Sequence, residues 1–250
     1  LARKQERPDA LEELNSRVDQ LAHWVAEHRV AFLGTLAAIL LSAGAYGIYE
    51  GVTTRQELAG ATALARLEAD YRRAMGAEPD AAIVEEPASA ELAERTRREF
   101  GERFRELARE HEGTAAAVMA RLEAGNRSDE LGEVEAALET FRAASDEAAS
   151  ASALRGLVLM RLGRALEQEG RFSDAAEAYE RAGAIEAFPL RYHALGHAAR
   201  NHANSAEDGR AVALYRRIEL EAPDVVLPDH VRSRLRELQA RVPATSADDS

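Results

Sequence analysis

His193 and His197 stand four residues apart, a spacing that places two imidazoles on one face of a helix, as a divalent-metal site requires. His202 follows nearby. No glutamate lies between the pair in the HExxH manner, the chain has no cysteine, and no third ligand is evident. The pair therefore reads as polar groove histidines that titrate near neutral pH, and no metal or other cofactor is expected. Catalysis has no better support. The chain carries no phosphate-cradling glycine loop, no GxSxG elbow and no cysteine nucleophile. Its many Asp and Glu residues read as solvated charge on helix faces. The expectation is a protein that binds other proteins and performs no reaction on a small molecule.

The element that carries these histidines belongs to the strongest pattern in the chain. Residues 156–189 resemble one 34-residue tetratricopeptide repeat, a hairpin of two helices. Leu159, Leu162, Gly163, Leu166, Ala175, Tyr179 and Ala182 fall where that repeat takes large, large, small, large, small, aromatic and small residues. Gly163 and Ala175 are placed where the two helices cross, and only small side chains permit that approach. Gly170 is placed to turn the chain, and Ser173 to cap the second helix. The next unit repeats the pattern with Tyr192, Leu195, Gly196 and Ala199, then Ala211, Tyr215, Ile218 and Pro223. The match requires three extra residues in the turn between Asn204 and Asp208.

Two clear repeats are thus expected over 156–223, and the pattern fades before them. Ala137, Phe141 and Ala144 look like a second helix, although residues 114–124 match a first helix poorly. Phe100, Phe104, Leu107 and Ala108 suggest an earlier second helix with residues 53–75 as its partner. Residues 50–155 are read as divergent helical repeats, interrupted by an acidic loop with two prolines at 77–87. A polar capping helix is expected over 224–241, then a disordered tail at 242–250. The first helix of each repeat lines the concave side of such an array. The candidate groove contacts are Met160, Arg164, Glu167, Gln168, His193, His197, Arg200 and Asn201. A mixed groove of this kind suits an extended peptide or a partner helix, and it lacks the paired Lys and Asn of a C-terminal carboxylate clamp.

Residues 30–49 (VAFLGTLAAILLSAGAYGIY) contain no charge, and at about 1.5 Å per residue they match the roughly 30 Å hydrocarbon core of a bilayer. The fold expected is therefore all-α: one N-terminal transmembrane helix followed by a tetratricopeptide-like solenoid. Trp24, Tyr46 and Tyr49 fit interfacial belts. Ala43-Gly44-Ala45 has the form of a signal-peptidase site, but six acidic residues in the first 29 make a poor leader, so the anchor is read as uncleaved. Gly34, Ala38, Ser42, Gly47 and Gly51 form small-residue surfaces on which a second helix could pack. The tail at 1–29 carries an apolar stripe at Leu11, Leu14, Val18, Leu21 and Val25. Its five basic residues favour a cytoplasmic N-terminus and a periplasmic domain at a bacterial inner membrane. The chain starts at Leu1 rather than Met, so further residues are expected before it.

Net charge is −12, and the residues after the tail hold 27 basic against 38 acidic side chains. Nucleic acid, which calls for a basic face, is not an expected partner. Trp24 and Arg29 before the span, Gly44 and Gly47 within it, FRELAREHEGT at 104–114 and the 156–182 repeat resemble the YfgM-type ancillary subunit of the Sec translocon. That resemblance implies a non-catalytic scaffold that binds the translocon and periplasmic chaperones. The alternative is a structural subunit of another envelope complex (respiratory, secretion or cell division). In either case the expected partners are membrane or periplasmic proteins and the bilayer itself.

Overall fold

The computed structural model describes residues 29–77, 89–227 and 229–241, with side chains from residue 52 onward save a few in the last helix. The described residues are all-α, with no strand among them. Among them nine helices follow one another: α1 Arg29–Ala74, α2 Ala90–Glu110, α3 Ala115–Glu130, α4 Val134–Glu147, α5 Ala153–Gln168, α6 Phe172–Gly183, α7 Arg191–Asn204, α8 Asp208–Glu221 and α9 Asp229–Arg241. The chain divides into two units, Leu1–Arg55 and Gln56–Ser250.

Among the described residues no helix is long and apolar enough to cross a membrane. The expected anchor at 30–49 lies in the first part of α1, whose side chains fall outside the described residues, as do those of Gly34, Ala38, Ser42, Gly47 and Gly51. The amphipathic tail, residues 78–88 of the acidic loop region and the last nine residues lie outside them too.

In the second unit most helices form where the apolar positions make one stripe. In α2 the buried residues are Ala93, Thr96, Phe100, Gly101, Phe104, Leu107 and Ala108, steps of three and four that keep one side inward. Starts are fixed by side-chain caps: Ser89, Thr114 and Ser152 accept from the amides of Leu92, Ala117 and Arg155. Glu57 adds a second acceptor for α3, its carboxylate taking the Ala115 N–H at 3.1 Å. The expected cap at Ser173 is not made. The cap position falls on Arg171, two residues earlier, and α6 begins at Phe172, so Ser173 sits inside the first turn and donates to Glu207 at 3.3 Å.

Helices pack as hairpins, and the hairpins stack. Leu64, Leu67 and Tyr71 of α1 meet Phe100, Phe104 and Leu107 of α2. The pairs α3/α4, α5/α6 and α7/α8 follow, and α9 closes the stack against α7 and α8. The backbones of the first helices also approach one another, α3 with α5 and α5 with α7, whereas those of α4, α6 and α8 stand further apart and are bridged by side chains such as Arg210 and Glu180. The array therefore bends with the first helices on its inner side. One continuous core runs from Val118 and Phe141 through Leu159, Leu162 and Tyr179 to Ala198. A second follows, from Leu195 through Tyr215 to Leu238. Each buried aromatic or Leu contributes about 1.5–3 kcal/mol.

The three turns inside these hairpins are the same object. Gly132, Gly170 and Ala206 adopt φ of 72°, 70° and 62°, and the next amide in each bonds back to Ser128, Leu166 and His202 respectively. This left-handed residue closes the preceding helix in each case. Aligning the turns gives the register. Gly125, Gly163 and Ala199 then become the crossing residues, facing Phe141, Tyr179 and Tyr215. A Cβ on Gly125 would stand 2.4 Å from the Phe141 ring, and one on Gly163 2.9 Å from Tyr179. The three-residue insertion expected between Asn204 and Asp208 does not exist: the turn is Ser205–Glu207, as long as its counterpart Glu169–Arg171. The expected crossing residue Gly196 instead faces Leu227, ahead of α9.

Of the other residues expected to pack the repeats, Leu159, Leu162, Ala175, Tyr179, Ala182, Leu195, Ala211, Tyr215 and Ile218 are buried. Tyr192 is half-buried and Pro223 exposed.

Candidate binding groove

The inner face carries an open depression of 580 Å³ between α5 and α7. Because side chains three and four apart share a helix face, α5 presents Leu157, Met160, Arg161, Arg164, Glu167 and Gln168 to it. Tyr179 of α6 forms the floor, and Leu190, His197 and Arg200 line the far wall. Six of the eight residues expected in a groove thus line this depression: Met160, Arg164, Glu167, Gln168, His197 and Arg200. His193 is half-buried and lies outside it.

Asn201 corrects the expectation of an outward side chain. It is fully buried, one residue round the helix from Arg200, and its Nδ2 donates to Glu167 Oε2 at 3.2 Å and to the His197 carbonyl at 2.9 Å.

Glu167 is the hub of the wall. It accepts from Arg200 at 2.6 and 2.7 Å, from Asn201, and from the Tyr179 hydroxyl at 3.3 Å. Burial first, and the Glu167 charge second, push the Tyr179 phenol well above the usual tyrosine range. It therefore stays protonated and donates. The His197 ring stacks on Tyr179 with centroids 5.1 Å apart, and its Nδ1 lies 3.1 Å from the Arg200 guanidinium. Two histidines on one helix were the sequence signal for metal. The structure uses His197 as a stacked ring, and the described residues hold no group of three or more potential metal ligands.

His202 has a role that the sequence did not disclose. In the common register it stands where α5 has Leu166, and it is fully buried. Its Nε2 pairs with Glu180 of α6, and its Nδ1 lies 3.3 Å from Glu207 Oε2 without the alignment of a hydrogen bond. Arg210 joins both carboxylates, at 3.3 Å to Glu180 and 2.9 Å to Glu207. The Arg210 hydrogen bond is the main reason the Glu207 carboxyl lies below the usual range. This cluster ties α6, α7 and α8 together and belongs to the repeat packing.

A second, polar depression of 290 Å³ continues the inner face toward α3, lined by Glu123, Asn126, Asp129, Glu130, Arg161 and Arg164 among others. Arg127 pairs there with Glu123 at 3.3 Å and with Glu130 at 3.0 Å, and its guanidinium lies over the Tyr71 ring.

No protein-family model matches the chain, and no curated protein matches it. Among solved structures it is similar to the "putative kinesin light chain nearly identical TPR-like repeats" of Podosopora anserina, at 16% identity and a TM-score of 0.44, over 60% of this chain and 90% of that one. A point-substituted form of the same protein aligns at 17% identity and 0.44, over 58% and 88%. Both are helical-repeat proteins by their descriptions. The stacked hairpins of this chain stand on its own packing, and the fold of the described residues is an all-α array of tetratricopeptide-like helical repeats.

Proposed function

We propose that the protein is a membrane-anchored, non-enzymatic scaffold that holds partner proteins beside a bilayer. The inner-face depression carries this reading: it is open, combines apolar and cationic walls, and its described lining holds no arrangement of nucleophile, base and oxyanion donors. The uncharged run at 30–49 supports the anchor, and the excess of basic residues before it supports a periplasmic domain at a bacterial inner membrane. The likeness in layout to YfgM-type subunits favours an accessory role in protein translocation and periplasmic folding. A structural subunit of another envelope complex is the second reading, resting on the same uncharged run at 30–49 and helical array.

Purification of the full-length protein from its native membrane in mild detergent, with mass spectrometry of what stays bound, tests both. A control in which an unrelated span replaces residues 30–49 identifies partners held through the anchor. The translocation reading expects the Sec channel and periplasmic folding factors at less than equal amounts. A fixed stoichiometric set of other membrane subunits overturns it in favour of the second reading.

A further inference from the structure

The two depressions of the inner face differ in how their charges are spent. Glu167, the one carboxylate among the residues lining the larger depression, is committed to Arg200, Asn201 and Tyr179. Beyond it, Glu123 and Glu130 are tied to Arg127, and Glu130 also to Arg97 at 3.0 Å. Asp129 is the remaining acid in the lining on that side. Arg161 and Arg164 line both depressions, yet neither forms an ion pair with a described residue. They border an apolar end made by Leu157, Met160 and Leu190, of which Leu190 is 46% exposed. An incoming cation finds every carboxylate of the lining but Asp129 engaged, while an incoming anion finds two open guanidinium forks beside a hydrophobic seat.

We propose that this depression takes an extended acidic segment of a partner protein, with a large apolar side chain against Leu157, Met160 and Leu190 and a carboxylate on Arg161 and Arg164. The inference rests on the scaffold reading and adds the chemistry of the bound segment. Helix geometry sets the spacing. Arg161 and Arg164 stand about 6 and 10.5 Å along α5 from Leu157, a span of about two to three residues of extended chain. The segment is then a large apolar residue with Asp or Glu about two or three positions away. The stacked rings of Tyr179 and His197 line the same depression.

The test is fluorescence anisotropy on the full-length protein in detergent, with labelled peptides in a Gly-Ser background. One peptide carries Phe and, three residues on, Glu-Glu. A second has Lys-Lys in place of Glu-Glu, a third has Ser in place of Phe, and a fourth separates the two groups by eight residues. The first is expected to bind best. The double variant Arg161→Gln/Arg164→Gln is expected to weaken it about tenfold, the loss of roughly one charge-assisted contact. Leu190→Ser should weaken it without flattening the acidic preference. All three positions are exposed or half-buried, so an unchanged thermal melt certifies each variant. Equal binding of the Lys-Lys peptide, or no effect of the double variant, overturns the proposal. If no peptide binds while the membrane preparation still retains its partners, the proposal falls and the scaffold reading survives.

Discussion

The hairpins α3/α4 and α5/α6 share a backbone, but their first helices share almost none of its usual large side chains. Where α5 has Leu159, Leu162 and Leu166, α3 has Arg121, Ala124 and Ser128, all three counted from the matching turn glycine. α3 holds its place by other means. Arg121 pairs with Glu147 at the end of α4, Ser128 Oγ accepts from Arg105 of α2 at 2.8 Å, and Glu57 of α1 bonds the first amide of α3. What the two hairpins keep is a small residue at the crossing, an aromatic ring over it, and a left-handed residue in the turn. The repeat is therefore defined by where backbones must approach and reverse, and the surrounding volume can be filled by leucines or by ion pairs.

The largest test of this equivalence is to remove the ring from each hairpin. Phe141→Ala and Tyr179→Ala should each cost about 3–5 kcal/mol by denaturant unfolding, since each removes a buried ring from a helix crossing. A Phe141→Ala cost below about 1 kcal/mol would show that α3/α4 is not locked as α5/α6 is. The register of the α7/α8 hairpin is tested next. Ala199→Leu drives a large side chain into the α7/α8 crossing and should cost about 1–3 kcal/mol, whereas Gly196→Ala meets only the flexible tip of Leu227 and should cost less. The opposite ranking restores the insertion that the sequence suggested.

The turns allow a finer comparison. Gly170→Ala should destabilise by about 1 kcal/mol and Ala206→Gly should stabilise by a similar amount, because only the second removes a Cβ from the left-handed region. The smallest effect concerns Glu68 of α1. Burial first, then the Glu123 charge, raise its carboxyl above the usual range, against the opposing pull of Arg72. A raised folded value favours the protonated form, so Glu68 supports folding fully below the unfolded carboxyl value and loses that support as pH rises through the folded one. Glu68→Gln should therefore raise the melting temperature by about 1–2 °C at pH 7, with the gain gone near pH 4.

Helix identity was legible wherever apolar spacing kept a period near 3.6, which is why α2 and α4 through α8 could be read from their stripes. α3 could not, because its three marker positions carry no large apolar residue. Its signal was elsewhere: Gly132 stands 38 residues before Gly170, in the same local context. The α7/α8 hairpin misled for the complementary reason. Its turn residue is alanine, so nothing marked the turn, and Gly196 offered a false crossing point. The groove was half legible. Spacing put α5 and α7 residues on one face, but whether a charge is spent depends on pairs such as Glu167–Arg200, 33 residues apart, which no local pattern contains. His202 in a leucine's place is the extreme case, since its partners come from two neighbouring helices.

The backbones of the inner helices approach one another along the array and those of the outer helices do not, and this asymmetry has a mechanical meaning. Close backbone approach along one side makes that side the hinge line, while the outer helices, joined through side chains such as Arg210 and Glu180, can fan apart or close up like the ribs of a half-opened umbrella. Bending therefore changes the width of the inner channel while the hairpins themselves stay intact, and its stiffness resides in the few side chains that span adjacent inner helices. The Glu167–Arg200 pair is one of those spans, so force transmitted along the array is borne at the wall of the channel.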